Sequence, residues 1–211
     1  MPAAERRSFN RIFCIGLNKT GTSSLHAAFL KLGIPSVHFE CAEGNIKDII
    51  ETNHTRGRPL LEGLERYVAF SDWTKPHTAN LFRVLDEQYP GSLFILNTRD
   101  IESWLESREK HVRRLPDLER LREEHPDSSW YRIDRAAWRR DYEAHHAAVA
   151  EYFADRPDDL LVMDVAAGDG WDKLCPFLGL PEPGRPFPQK NVAPERRGGF
   201  RRRLAGLFRR G

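Results

Sequence analysis

A single lysine sits among glycine and hydroxyl residues in the run CIGLNKTGTSSL, residues 14–25. If an apolar strand ends near Gly16 and a helix starts just past Gly21, the unpartnered N–H groups of the first helical turn face the loop between them. The positive end of the helix dipole faces it too. Gly21 then lets the backbone approach an anion, Lys19 adds a point charge, and Thr20, Thr22, Ser23 and Ser24 offer further hydrogen bonds. Such a loop holds a phosphate or sulfate group. It is not the nucleotide triphosphatase pattern GxxxxGK[ST], in which the lysine follows the second glycine and a hydroxyl behind it holds magnesium; here Lys19 precedes Gly21.

A second anion site can be read further along. The run LFILNTR, residues 93–99, closes on Arg99, and Ser107 follows eight residues later. An arginine at the carboxyl end of a strand offers a fork of donors to a phosphate, and a serine two turns into the next helix can face the same anion. The plainer reading is that Arg99 pairs with a local acid.

The elements that must position these residues alternate. Short apolar runs at 11–16, 36–39, 67–71, 93–96 and 160–163 read as buried strands. Between them lie helical patterns at 23–32, 45–52, from about Pro76 onward, and over a charged stretch at 101–152 interrupted by Pro116 and by residues 125–129; a last one runs from Trp171 to Leu178. Gly33 with Pro35, and later Gly179, are stop signals. Strand–helix alternation of this kind predicts a three-layer α/β sandwich around a mostly parallel sheet of about five strands, because parallel neighbours need helical crossovers.

The order Lys-Thr-Gly-Thr-Ser at 19–23 resembles the 5′-phosphosulfate loop of the sulfotransferases that use 3′-phosphoadenosine 5′-phosphosulfate (PAPS), a family related in fold to the P-loop proteins. Arg99 and Ser107 resemble the pair with which that family grips the 3′-phosphate of the donor. Residues 171–181 resemble its W-x-x-L-x-x-F-L-G-L-P helix, and 186–191 its PFPxxN turn, which would bring Lys190 and Asn191 to the nucleotide. The resemblance runs from about Arg11 to Asn191 with its motifs in the family's order. It implies PAPS as donor co-substrate and adenosine 3′,5′-bisphosphate (PAP) as product, with a hydroxyl or amine as acceptor. No metal is expected, since the donor has no contiguous triphosphate to clamp.

The chemistry implied is positioning and neutralisation, as in phosphoryl transfer. Lys19 is the candidate for stabilising the leaving oxygen. A base must take the acceptor's proton near the carboxyl ends of the strands. Asp72, directly after the third strand, is the first choice; Glu40, closing SVHFE, and His77, a few residues past Asp72, are the others. Each also has a bland reading, as a capping acid, a surface charge and a solvated residue.

Composition bounds the rest. A chain of 211 residues, 40% hydrophobic and 30% charged, suits one globular domain over 11–192, with a flexible leader at 1–10 and a tail at 193–211. No apolar stretch reaches the roughly 20 residues of a bilayer span, and the start lacks an apolar signal core, so a cytoplasmic protein is expected. Cys14, Cys41 and Cys175 form no CxxC pair and read as reduced, mostly buried side chains. The net charge of +2 conceals seven arginines and no acid in residues 196–211. That segment suits a short helix on an anionic membrane surface, or equally a disordered tail without a partner; nothing in the body suggests nucleic acid. His145-His146 reads as one partly buried and one solvated histidine, because neighbours on a helix point about 100° apart. Trp73 and Trp104 are placed at the pocket; Trp130, Trp138 and Trp171 are assigned to packing. The rival functions are a P-loop-type nucleoside phosphate kinase and a non-catalytic nucleotide-binding module. The acceptor is open between a small molecule, a lipid and a glycan.

Overall fold

The computed structural model describes residues 7–190 apart from Lys75 and Asp127, and leaves aside the side chains of Pro76, His77 and Ser129. Asn191 and the arginine-rich tail therefore lie outside the described residues, as does the leader up to residue 6.

Among the described residues, seven strands form one sheet. In chain order they are β1 (Ile12–Cys14), β2 (Ser36–His38), β3 (Glu40–Cys41), β4 (Gly44–Asn45), β5 (Ala69–Ser71), β6 (Leu93–Asn97) and β7 (Leu160–Met163), and across the sheet they run β4-β3-β2-β5-β1-β6-β7. The five expected strands all run parallel to one another, with Phe13 opposite Phe70 and Phe94, and Leu96 opposite Val162. The hairpin β3–β4 extends the sheet antiparallel beyond β2. It exists because Phe39 takes a left-handed φ of 60° and reverses the chain, so Glu40 starts a new strand instead of closing the old one.

Side-chain alternation along the strands builds two cores. Phe13 and Ile15 face one side, with Phe70, Phe94 and Leu96; they pack on α2 (Ile46–Thr55), α3 (Phe82–Gln88) and α6 (Arg135–Tyr152) through Ile50, Phe82 and Val149. Ile12 and Cys14 face the other, with Leu93, Ile95 and Met163, against α1 (Thr22–Lys31) and α7 (Trp171–Leu178) through Leu25, Phe29 and Leu174. A third cluster joins α4 (Ile101–Val112) to α6 through Trp104, Leu105, Trp138 and Tyr142, and includes Leu17 after β1. The short α5 (Leu118–Glu124) and a 3-10 turn at Ser129–Tyr131 follow α4.

The order β5-β1-β6 places the crevice. From β1 the chain moves outward to β2, returns as β5 and only then crosses to β6 on the other flank. In open α/β sheets, ligands bind outside the carboxyl ends of the strands where the order reverses in this way. Lys19 follows β1 and Arg99 follows β6, so both anion motifs emerge at that point.

The tryptophans depart from expectation. Trp73 is 1% exposed in the first core, while Trp130 lines the crevice. At the left-handed turn of Asp72, φ 56°, the chain leaves the Asp72 side chain lining the crevice and Trp73 in the core. His145 and His146 are both drawn inside: His145 shares a hydrogen bond of 2.7 Å with the Ile15 carbonyl, and His146 lies 2.9 Å from the Thr98 hydroxyl. All three cysteines are free, Cys14 and Cys175 buried and Cys41 half-buried.

Candidate functional site

The loop after β1 is shaped from within. Gly16 donates its N–H to Oδ1 of Asn97 at 3.0 Å, and a Cβ on Gly16 would stand 1.8 Å from the Asn97 carbonyl oxygen, so only glycine fits. Asn97, fully buried at the end of β6, donates from Nδ2 to the Thr20 hydroxyl, which in turn donates to the Leu17 carbonyl. Thr20 is 1% exposed and does not line the crevice. Its hydroxyl, expected to serve a ligand, instead serves the loop.

With Thr20 held inside, Lys19 and Gly21 take left-handed φ values of 69° and 94° and turn outward. For lysine that is a strained conformation of the kind that clusters at functional sites. Asp72 and Phe39, also non-glycine residues with positive φ, line the same cavity as Lys19. Helix α1 then begins with no side-chain cap and no acid in its first turn. Helices α2, α4 and α6, by contrast, are capped by Asn45, Asp100 and Asp134, each accepting a main-chain N–H at 2.9 Å. The start of α1 is thus open to an anion.

The cavity outside it measures about 1550 Å³. Lys19, Gly21, Thr22, Ser23 and Ser24 line it on one side, and Arg99 and Ser107 also line it. Ser107 and His111, four residues apart on α4, present one helix face to it. Lys190 lines it as well, its N–H donating to the Ser24 hydroxyl at 2.9 Å, which fastens the final segment to the start of α1. The Arg99 Nε is buried without a hydrogen-bond partner among the described residues, a donor that a phosphate could satisfy. Burial lowers the pKa of Lys19; Asp72 opposes this, and the positive charges of Arg99, Arg108 and Arg114 add to it. An incoming anion relieves that repulsion.

Of the three candidate bases, Asp72 lines the cavity; its Oδ1 lies 3.2 Å from the Lys47 ammonium and its Oδ2 3.9 Å from Nε2 of His38. Glu40 is exposed on the hairpin and is not among the lining residues, because the reversal at Phe39 turns β3 away. The side chain of His77 lies outside the described set.

Several residues in or beside the cavity escaped the sequence reading. His38 Nε2 is 3.2 Å from the Thr22 hydroxyl and 3.3 Å from that of Ser23. Burial lowers its pKa, with Asp72 opposing and Lys47 reinforcing, so a neutral imidazole faces the loop. It closes β2, the position that had been credited to Glu40, and that strand-end rule could have found it. Lys47 and Arg108 had no such signal. Arg108 is 3% exposed, donates to Oδ1 of Asn18 at 3.1 Å and to the Trp130 carbonyl, and stacks 3.8 Å from the Trp130 ring. It thereby ties the segment after α5 to the anion loop. Arg108 lines a smaller cavity of about 410 Å³ beside Leu17, and Trp130 lines both cavities. Among the described residues, no group of three or more His, Cys, Asp or Glu side chains is placed to hold a metal ion, and no helix is long and apolar enough to cross a membrane.

The chain is 27% identical over 214 residues to the Ava biosynthesis cluster protein M of Aspergillus versicolor, an alignment covering 84% of this chain and 79% of that protein. A sulfotransferase domain family matches residues 11–196, from the start of β1 past the segment fastened to α1, and the chain belongs to that family.

Proposed function

We propose that this protein transfers the sulfuryl group of PAPS to a hydroxyl or amine of an acceptor, leaving PAP. The observation that carries the reading is that two groups of residues chemically suited to anions line one cavity: Lys19 with the uncapped start of α1, and Arg99 with Ser107. An adenosine bearing a 5′-phosphosulfate and a 3′-phosphate asks for such a pair.

In this reading the first turn of α1, with Thr22 and Ser23, holds the phosphosulfate, and Arg99 with Ser107 holds the 3′-phosphate. The acceptor oxygen forms its bond to sulfur as the bond from sulfur to the bridging phosphate oxygen breaks. Lys19 neutralises the charge that gathers on that bridging oxygen, an interaction stronger in the transition state than before it. The acceptor's proton passes to the pair formed by Asp72 and His38: His38 offers a neutral imidazole, and Asp72 steadies the imidazolium that results. Lys47, 3.2 Å from Asp72, holds that carboxylate in place. A small-molecule acceptor is in keeping with the relative's membership of a biosynthesis cluster.

The test has two parts. Calorimetry should show PAP binding far more tightly than ATP. Labelled PAPS, offered with panels of hydroxylated small molecules, lipids and glycans in excess chelator, should deliver label to at least one acceptor. ATP binding as tightly as PAP sinks the donor assignment; tight PAP binding with no transfer to any acceptor leaves a nucleotide-binding module.

A further inference from the structure

We propose that Tyr142 is a positioning residue for recognition of the nucleotide's 3′-phosphate, acting through the main chain of Arg99. The inference rests on the reading above that Arg99 grips that phosphate.

Arg99 lies in the turn between β6 and α4, where neither element's regular bonding holds its peptide. Tyr142, from the middle of α6, supplies the missing bonds. Its hydroxyl donates to the Arg99 carbonyl at 2.6 Å and accepts the Arg99 N–H at 3.1 Å, gripping both polar groups of one residue. The same oxygen is 2.6 Å from the Thr98 hydroxyl. Thr98 is held in turn, by its N–H to the Met163 carbonyl at 2.9 Å and by its hydroxyl 2.9 Å from Nε2 of His146. His146 lies one helical turn beyond Tyr142 and bonds through Nδ1 to the Tyr142 carbonyl at 2.8 Å.

The ring that carries the hydroxyl has little freedom. It is 6% exposed, stacks on His146 at 3.9 Å and packs against Trp104 at 4.7 Å. A rigid aromatic on an 18-residue helix therefore sets the peptide from which the guanidinium projects. Arginine is a long, flexible side chain, and its hold on a phosphate depends on how well the fork is aimed; an error of about 1 Å in a positioned group can cost two orders of magnitude. No local motif around Arg99 encodes this support, since it comes from 43 residues away.

The experiment is calorimetry on the full chain with adenosine 3′,5′-bisphosphate and with adenosine 5′-monophosphate, which lacks the 3′-phosphate. Tyr142→Phe keeps the packed ring and removes the hydroxyl, leaving the Arg99 peptide without its partners. Affinity for the bisphosphate is expected to fall about tenfold, while affinity for the monophosphate stays within about threefold, so the preference shrinks. Should Tyr142→Phe fail to fold, Thr98→Ala carries the test, with the same selective loss at smaller amplitude. An unchanged preference, or a parallel loss for both nucleotides as general loosening would give, overturns the proposal. Failure of the underlying reading looks different: the wild-type protein would show no preference for the bisphosphate, or Arg99→Ala would leave the preference intact.

Discussion

The units β1–turn–α1 and β6–turn–α4 stand side by side in the sheet and end at the same cavity, yet they treat their helix starts in opposite ways. The first leaves α1 uncapped, without an acid in its first turn. The second fills the start of α4 with Asp100, bonded to the Ser103 N–H, and adds Glu102 in the first turn. Where the main chain is left open, an anion can be held by N–H groups and the helix dipole, and Lys19 is free to act on charge as it moves. Where the dipole is already answered by carboxylates, a phosphate nearby would have to be held by a side chain, and Arg99, whose Nε has no hydrogen-bond partner among the described residues, is the side chain proposed for it. The difference suits a group that reacts at one end of the ligand and a group that only anchors at the other.

The two units are not independent, because Asn97 of β6 braces the loop of β1 through Gly16 and Thr20. Removing it should have the largest effect. Asn97→Ala removes two buried hydrogen bonds, leaving the Gly16 N–H without a partner and the Thr20 hydroxyl with the Leu17 carbonyl alone, and is expected to cost about 3 kcal/mol of stability, read from denaturant unfolding; a loss well under 1 kcal/mol would mean the loop holds itself.

Next comes the reacting end. Lys19→Ala should lower kcat by on the order of 100-fold with PAP affinity nearly kept. If it raised only the donor KM, both ends would be anchors and the contrast between them would fall.

Histidines on both sides allow a finer comparison. His38 near the loop, and His145 and His146 on α6, all have pKa values below the ordinary value, chiefly through burial. The unfolded chain then binds more protons than the folded one below a pH of about 6.5. Stability is therefore fully present above that pH and declines as pH falls through the folded values. Melting temperature should drop between pH 7.5 and 5.5; His38→Gln and His146→Gln should each flatten the decline, and the larger flattening marks the side that carries it. A melting temperature that rises toward pH 5.5 contradicts the sign.

The smallest effect belongs to the cap. Asp100→Ala should lower the melting temperature by a few degrees and tighten, if anything, the hold on a 3′-phosphate, since it removes a negative charge beside Arg99. Weaker PAP binding in that variant would show that Asp100 serves the ligand and not only the helix.

Much of this could be read residue by residue. The five parallel strands, the loop around Lys19, the arginine closing β6 and Ser107 two turns into α4 are local patterns, set by apolar runs, stop signals and short spacings. What could not be read this way depends on where the chain reverses and on which segments meet. Thr20 looks identical to Thr22 in the sequence, yet one hydroxyl turns inward because Asn97, 77 residues later, is there to meet it. Glu40 and His38 are two residues apart, and the reversal at Phe39 sends one to solvent and leaves the other at the loop.

Which residues suit an anion can be read from the chain alone, since that depends on charge, hydroxyls, glycine and the start of a helix, all within a dozen positions. That two such groups share one cavity follows from the folded arrangement, because β6 could have paired at either flank of the sheet and strand order is settled by which buried faces pack. The same holds for Lys47, Arg108 and Tyr142, whose partners lie 25, 90 and 43 residues away: a long-range contact leaves no periodic trace in the chain that makes it.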